Sequence, residues 1–312
     1  METREKTHGT YYGPLMMLGA ALLFSMGGAV IKLIPWSALA INGVRNLIAA
    51  ATMGCYLLFK RHKLRFNKTV LFGAVCMFGV TTLFIVANKL TTAANAIILQ
   101  YACPIWIILM MAIFFREKPS RRDVGTMAVV FLGILCFFFD SLAAGNVLGD
   151  LAAILSGVFY AGVFLLNSFE DGDSLSSIFF GQLACGVILS PLVTRETAFS
   201  PVILLAVFFM GAIQIGVAYI MFSEGTRYTP PVAASLIATV EPVMNPILVA
   251  IFWGRDAAAT VSGGGVYRHC RCAGVQHQEG LTCSERAFPV ICRYSSARNA
   301  VSREKQTSGL SS

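Results

Sequence analysis

The chain has 312 residues, 56% of them hydrophobic and 13% charged, with a mean hydropathy of +0.70 and a net charge of +8. Average soluble domains carry roughly 25% charged residues, so this composition excludes a soluble enzyme and predicts a polytopic membrane protein. Half of the net positive charge belongs to the last 58 residues, and loop placement explains most of the rest, so it is no nucleic-acid signature.

Met1–Thr10 is polar, and the apolar run that follows is too long for a signal-peptide core, so no cleavable leader is expected. A bilayer crossing needs about 20 apolar residues at ~1.5 Å each. On that measure nine spans are predicted: Tyr12–Ile34, Trp36–Phe59, Val70–Asn88, Thr92–Phe115, Val124–Phe139, Val147–Asn167, Ser174–Val193, Pro201–Phe222 and Tyr228–Trp253. Five of the nine cysteines lie inside these runs (Cys55, Cys76, Cys103, Cys136 and Cys185) and read as small apolar residues.

Basic residues near the span ends predict orientation. The second-to-third loop holds Lys60, Arg61, Lys63, Arg65 and Lys68, and the fourth-to-fifth holds Arg116, Lys118, Arg121 and Arg122. With Arg4, Lys6 and Arg227 these make twelve on one side, against Lys32, Lys89 and Arg195 on the other. A cytoplasmic N-terminus and a place in the inner or plasma membrane follow as expectations. The sixth-to-seventh loop, with Glu170, Asp171 and Asp173, contributes nothing to this count.

An internal repeat emerges at an offset of 138 residues, where TTAANAIILQYACPIWIILMMAIFF lies over TPPVAASLIATVEPVMNPILVAIFW. Thr91 meets Thr229, Ala96 meets Ala234, Pro104 meets Pro242, and Ala112-Ile113-Phe114 meets Ala250-Ile251-Phe252. The two copies are the fourth and ninth spans, an offset of five, which is odd, so they are expected to run in opposite directions. Inverted repeats place a substrate site at their interface near the midplane. The predicted division is a five-helix repeat over 1–140, a second over 141–254 that stops after four helices, and a polar tail over 255–312.

The repeat calls for a tenth span matching Val124–Phe139, but from Arg255 the composition turns polar without a linker. Codons exist for Arg255 to Gln276 that, read one base later, encode EMLPPLSVAGAFIVIVGVLGYN, a Glu-led turn and a transmembrane helix, with its Glu aligned on Glu117. A frameshifted, disordered C-terminus is the expected reading of this segment, with a genuine polar tail as the alternative. Its His269, Cys270, Cys272, His277 and Cys283 match no tetrahedral spacing, and Gly263-Gly264-Gly265 is not a phosphate loop, so no metal or cofactor is expected.

Two five-helix repeats, the basic loop after the second span, and proline-centred fourth and ninth spans resemble the EamA-type drug/metabolite transporters. The likeness covers about Tyr12 to Gly254 and is most specific in EPVMNPILVAIFWG, Glu241–Gly254. The chain departs from the pattern after Gly254, where the Gly-Glu turn and tenth helix of the family are missing. The resemblance implies ten helices, cytoplasmic termini and export or exchange of small metabolites such as amino acids. It also implies a role for Arg45, which stands where the family frequently has a basic residue.

Read from the residues themselves, Glu241 is the leading site candidate, since an acid at bilayer depth normally faces protein or water. At helical spacing Ala234, Ala238, Glu241 and Asn245 share a face, leaving space beside an acid and an amide. Glu241 could bind a substrate amine or a proton, or could form a structural bond, with Arg45 as one partner. Arg45 lies deep in the second span and could attract a carboxylate or pair structurally. Gln100, Tyr101, Tyr160, Gln214 and Tyr219 could line a path or bond between helices. Pro104 and Pro242 each remove a donor and free a carbonyl, which predicts kinks. No Ser/His/Asp set, paired catalytic acids or H-E-x-x-H is present, so no enzyme is expected. The expected partners are the lipid bilayer and a small-molecule substrate, with a proton as a further ligand, in a small-metabolite or drug exporter working by alternating access. A truncated, non-transporting product is the alternative.

Overall fold

Side-chain caps set several helix starts. Ser37 Oγ accepts from the Ala40 amide, Asn67 Oδ1 from Val70, Asn146 Oδ1 from Leu148 and Ser200 Oγ from Ile203. Each supplies a partner for an amide that the helix itself leaves free. The computed structural model describes residues 2–31, 33–91, 93–116, 120–138 and 146–253, and every regular element among them is helical. The segment after Trp253, with the missing tenth span, the frameshift reading and the His/Cys set, lies outside the described residues.

The helices are α1 (Glu2–Ser25), α2 (Gly27–Ile31), α3 (Ala38–Phe59), α4 (Lys68–Leu90), α5 (Ala93–Gln100), α6 (Cys103–Met110) and α7 (Arg121–Phe138). There follow α8 (Val147–Leu165), α9 (Ser174–Leu189), α10 (Pro201–Phe209), α11 (Ala218–Tyr228), α12 (Pro231–Ala238) and α13 (Val240–Trp253). Five stretches among the described residues are long and apolar enough to cross a membrane: Lys68–Asn88, Asn95–Phe115, Val147–Ser168, Ser174–Arg195 and Pro201–Tyr228. This is a multi-pass, all-α membrane protein.

Each predicted span has a helical counterpart, but four are not simple rods. The first breaks at Met26. The fourth divides between α5 and α6 and ends in a π-helical turn, Met111–Phe115. The eighth carries a π-helical stretch, Met210–Val217, and runs on to Tyr228. Tyr228 therefore closes the eighth span, and the ninth starts at Pro231, because consecutive Pro230 and Pro231 end one helix and open the next.

Contacts between loops sort the span ends onto two sides. On the N-terminal side Tyr12 meets Tyr228 edge-on with ring centroids 5.7 Å apart, and Tyr56 Oη donates to Glu224 Oε1 at 3.3 Å. There the second-to-third loop also meets the start of α9 through His62 Nε2 and Asp173 Oδ2, 2.7 Å apart. On the opposite side Trp36 Nε1 donates to the Ala198 carbonyl at 2.6 Å, and Thr91 Oγ1 donates to Asp150 Oδ1 at 2.6 Å.

Between these ends α4 packs along α8 and α9, α3 along α9, and α1 along α11. Association in lipid rests on close packing, and small residues permit it. At Gly43 a Cβ would stand 2.3 Å from the backbone of Leu189 and Ser190, so only glycine lets α3 cross the end of α9 there. Met53, Met77, Phe164, Ile178 and Phe222 fill the interior with no more than 1% exposure.

Candidate functional site

The fourth and ninth spans break at equivalent places. α5 ends at Gln100, Tyr101 and Ala102 form a turn, and α6 opens at Cys103 with Pro104 in its first turn. α12 ends at Ala238, Thr239 forms the turn, and α13 opens at Val240 with Glu241 in its first turn. Tyr101 and Thr239 lie 138 residues apart, the offset read from the sequence. At each predicted kink the helix is interrupted by a turn of one or two residues placed just before the proline. The physical reason is that proline cannot donate to the carbonyl four residues back, Gln100 for Pro104 and Ala238 for Pro242. Gly157 of α8 faces the first break, where a Cβ would come 2.9 Å from the Gln100 carbonyl oxygen and 3.2 Å from that of Leu99.

The two breaks meet. Tyr101 Oη donates to Glu241 Oε2 at 2.5 Å, joining the turn of one broken helix to the first turn of the other. A carboxylate at the N-terminal end of a half-helix is favoured by the helix dipole. Glu241 therefore bonds to Tyr101 rather than to Arg45. The Arg45 guanidinium instead donates to Asn42 Oδ1 from Nη2 (3.0 Å) and Nε (3.2 Å), and Asn46 Nδ2 donates to the same oxygen at 2.9 Å.

Both charged groups line a cavity of about 420 Å3. All eight path residues predicted from the sequence lie on its wall: Arg45, Gln100, Tyr101, Tyr160, Gln214, Tyr219, Glu241 and Asn245. Ala234 and Ala238 do not; they are buried in the core on the α12 side of the break, because the turn at Thr239 interrupts the predicted face. Pro104 lines a separate small crevice beside Val130 and Phe131 of α7, and Pro242 is buried. The wall also includes Asn88, Thr81 and the glycine at the first-span break, Gly27, which the sequence reading passed over. Asn42, which holds Arg45, escaped it too, although Asn42, Arg45 and Asn46 form one polar patch at i, i+3, i+4.

Further bonds fix the amides of the wall. Gln100 Nε2 donates to Ser156 Oγ at 2.8 Å, and Ser156 Oγ donates to the Val80 carbonyl at 3.1 Å. Gln214 Nε2 donates to the Phe24 carbonyl at 3.1 Å, just before the break at Met26. Gln214 sits in the π-helical stretch of the eighth span, a local form that often accompanies functional sites. Gln214 Oε1 and Asn245 Oδ1 have no hydrogen-bond partner among the described residues.

The cavity is asymmetric. Its wall runs through Ile31, Ala38, Phe84 and Asn88, all near span ends on the side opposite the N-terminus. Toward the N-terminal side it meets a cluster of rings. Tyr160 packs on Phe164 (4.8 Å), Phe164 on Phe222 (4.9 Å), and Phe24 on Tyr219 (4.8 Å).

The sequence profile of the EamA-like transporter family matches residues 11–139 and 147–259. The chain belongs to the EamA-like transporter family. Among similar proteins, the uncharacterized transporter YxxF of Bacillus subtilis (strain 168) is 25% identical over 171 residues, 53% of this chain and 55% of that protein. The match thus spans about half the length of YxxF. The uncharacterized transporter YwfM of the same organism is 26% identical over 254 residues, 77% of this chain and 85% of its own. An uncharacterized transporter of Archaeoglobus fulgidus is 25% identical over 209 residues, 64% of this chain and 73% of its own. A protein crystal structure superposes with a TM-score of 0.66 at 20% identity, covering 84% of this chain and 99% of that one, a likeness of fold. The family match agrees with the multi-pass helical fold, since the matched regions include all five apolar, membrane-length stretches.

Proposed function

We propose that the chain exports a small metabolite, such as an amino acid or a drug-like compound, by alternating access between two inverted repeats. The observation that carries this reading is the bond between Tyr101 and Glu241, which joins the two helix breaks on the wall of a one-sided cavity. Repeat one, within 1–140, rocks against repeat two, within 141–254, with the breaks before Pro104 and Pro242 as flexing points. In the conformation described, the cavity lies toward the side opposite the N-terminus, and the rings of Phe164 and Phe222 shut the other route. The excess of Lys and Arg on the N-terminal side supports a cytoplasmic N-terminus in a cell membrane, so this conformation faces outward.

Chemically, the described residues of the cavity offer one acid, one guanidinium and two amide oxygens unpartnered among them, on a mainly apolar wall. A buried polar atom without a partner costs about 1–3 kcal/mol, which a substrate donor recovers on binding. Glu241 takes a cationic group of the substrate or a proton; Arg45 takes an anionic group; Gln100, Tyr101, Tyr160, Gln214, Tyr219 and Asn245 shape the path. Nothing in this set resembles a nucleophile with its base, and the chain is read as a transporter without enzymatic chemistry. Efflux and uptake of radiolabelled metabolites in cells carrying Glu241→Gln test the proposal. Transport is expected to fall at least about tenfold, the loss of one charged hydrogen bond to substrate. Unchanged transport at matched protein levels removes Glu241 from the mechanism.

A further inference from the structure

The loop between α3 and α4 presents cations with no acid to meet them. Lys60, Arg61, Lys63, Arg65 and Lys68 are all exposed, and none lies within 4.0 Å of a carboxylate among the described residues. The sixth-to-seventh loop, which bonds to this one, carries the acids Glu170, Asp171 and Asp173, and none of them pairs with these cations. Asp173 is paired with His62 and accepts from Ser176 Oγ at 2.6 Å, while Glu170 and Asp171 are exposed without ion pairs.

The same loop is pinned, not free. His62 holds Asp173, the Arg65 amide donates to Ser176 Oγ at 3.1 Å, and Asn67 Nδ2 donates to the Asp171 carbonyl at 2.8 Å. Arg61 adopts a left-handed backbone at φ 51°, uncommon for a residue other than glycine, asparagine or aspartate. Ordering of this kind removes part of the entropy that a flexible basic tail would lose on engaging a ligand. Interleaved with the cations are large exposed apolar side chains: Leu58 (80% exposed), Phe59 (85%), Leu64 (49%) and Phe66 (78%). They lie at the end of α3 and in the loop leading to α4, whose Lys68–Asn88 stretch is long and apolar enough to cross a membrane.

We propose that this loop is a docking surface for anionic phospholipid headgroups of the leaflet on the N-terminal side. The apolar side chains enter the acyl region while the five cations engage phosphates above it. A soluble phosphate or a nucleic acid would satisfy the cations and leave Leu58, Phe59, Leu64 and Phe66 in water, so the mixed composition favours lipid. Basic residues beside a membrane span each add to the attraction of an anionic leaflet, and the effect fades within a Debye length. The inference concerns binding alone and stands apart from the transport reading, because it is measured without a transport substrate.

The test uses the purified full chain in neutral detergent, titrated with phosphatidylglycerol or with phosphatidylcholine, with bound lipid read by native mass spectrometry. Phosphatidylglycerol is expected to bind roughly tenfold tighter, the factor that one to two basic contacts supply. The preference should shrink in high salt and be lost in K60Q/R61Q/K63Q/R65Q/K68Q. The milder K60Q/K63Q/K68Q should fall between, and decides the matter if the five-fold variant does not accumulate. Arg195→Gln, on the opposite side, should bind as the parent does. Equal binding of the two lipids, or a preference that survives the charge removal, overturns the proposal. So does displacement of phosphatidylglycerol by inorganic phosphate at comparable concentration, which would reveal a site for soluble anions.

Discussion

Replacing Gly157 by alanine puts one methyl group against the broken turn of the fourth span. The added Cβ would stand 2.9 Å from the Gln100 carbonyl oxygen, 3.2 Å from that of Leu99 and 3.4 Å from Gln100 Cα. The obstacle is backbone, so it cannot swing aside as a side chain could. α8 must move away from the α5–α6 turn by a few tenths of an ångström. Overpacking of this kind costs about 1–3 kcal/mol, partly offset by up to ~1 kcal/mol of helix propensity gained on replacing glycine. The expected net loss is on the order of 1–2 kcal/mol. The shift also strains the bonds from Gln100 to Ser156 and from Ser156 to Val80, and displaces Tyr101 relative to Glu241. Thermal unfolding in detergent measures the stability, and Gly54→Ala is the control. At Gly54 the nearest atom to a new Cβ is Phe179 Cε2 at 3.5 Å, an ordinary contact, so that variant should match or slightly exceed the parent. If Gly157→Ala unfolds no earlier than the parent, or the two alanines cost the same, the close approach of α8 to the break is not a constraint.

The Tyr101–Glu241 bond should appear as coupling. Tyr101→Phe is expected to cost about 1.5–3 kcal/mol in the parent and much less beside Glu241→Gln; additive effects in the double-mutant cycle would refute the contact. On the N-terminal side, burial pushes the pKa of Asp173 up, but hydrogen bonds from Ser176 and His62 outweigh it and hold the carboxylate below its ordinary value. Stability from a depressed carboxylate is present above its unfolded pKa and lost as pH falls through the folded one. Asp173→Asn should therefore destabilise at pH 7 by about 1–3 kcal/mol, with the gap to the parent closing below about pH 4. A gap that is constant over pH 3–7 would sink this account. Gln214→Leu, which leaves the Phe24 carbonyl without its side-chain donor, should lower stability by about 1 kcal/mol or more in thermal unfolding, and no change would show that bond to be dispensable.

Composition and periodicity alone determined the class and where the helices lie, because lipid accepts only backbones that satisfy their own hydrogen bonds. The same logic made the cavity-lining polar residues legible. Polar groups such as Arg45, Gln100 and Glu241 are costly in an apolar run, so each stands out whatever its neighbours. The offset of 138 residues located both helix breaks, since a mid-helix proline acts locally on the carbonyl four residues back. What local rules could not supply was partnership. Charge alone pairs Glu241 with Arg45, yet the tertiary structure brings Tyr101 to it and gives Arg45 to Asn42. The turn at Thr239 likewise takes Ala234 and Ala238 off the face predicted for Glu241 and Asn245. The close pass of Gly157, the bond from Gln214 to the first-span break, and the side toward which the cavity lies all depend on residues distant in sequence. Those pairings arise only when helices pack, and no periodicity within one span encodes them.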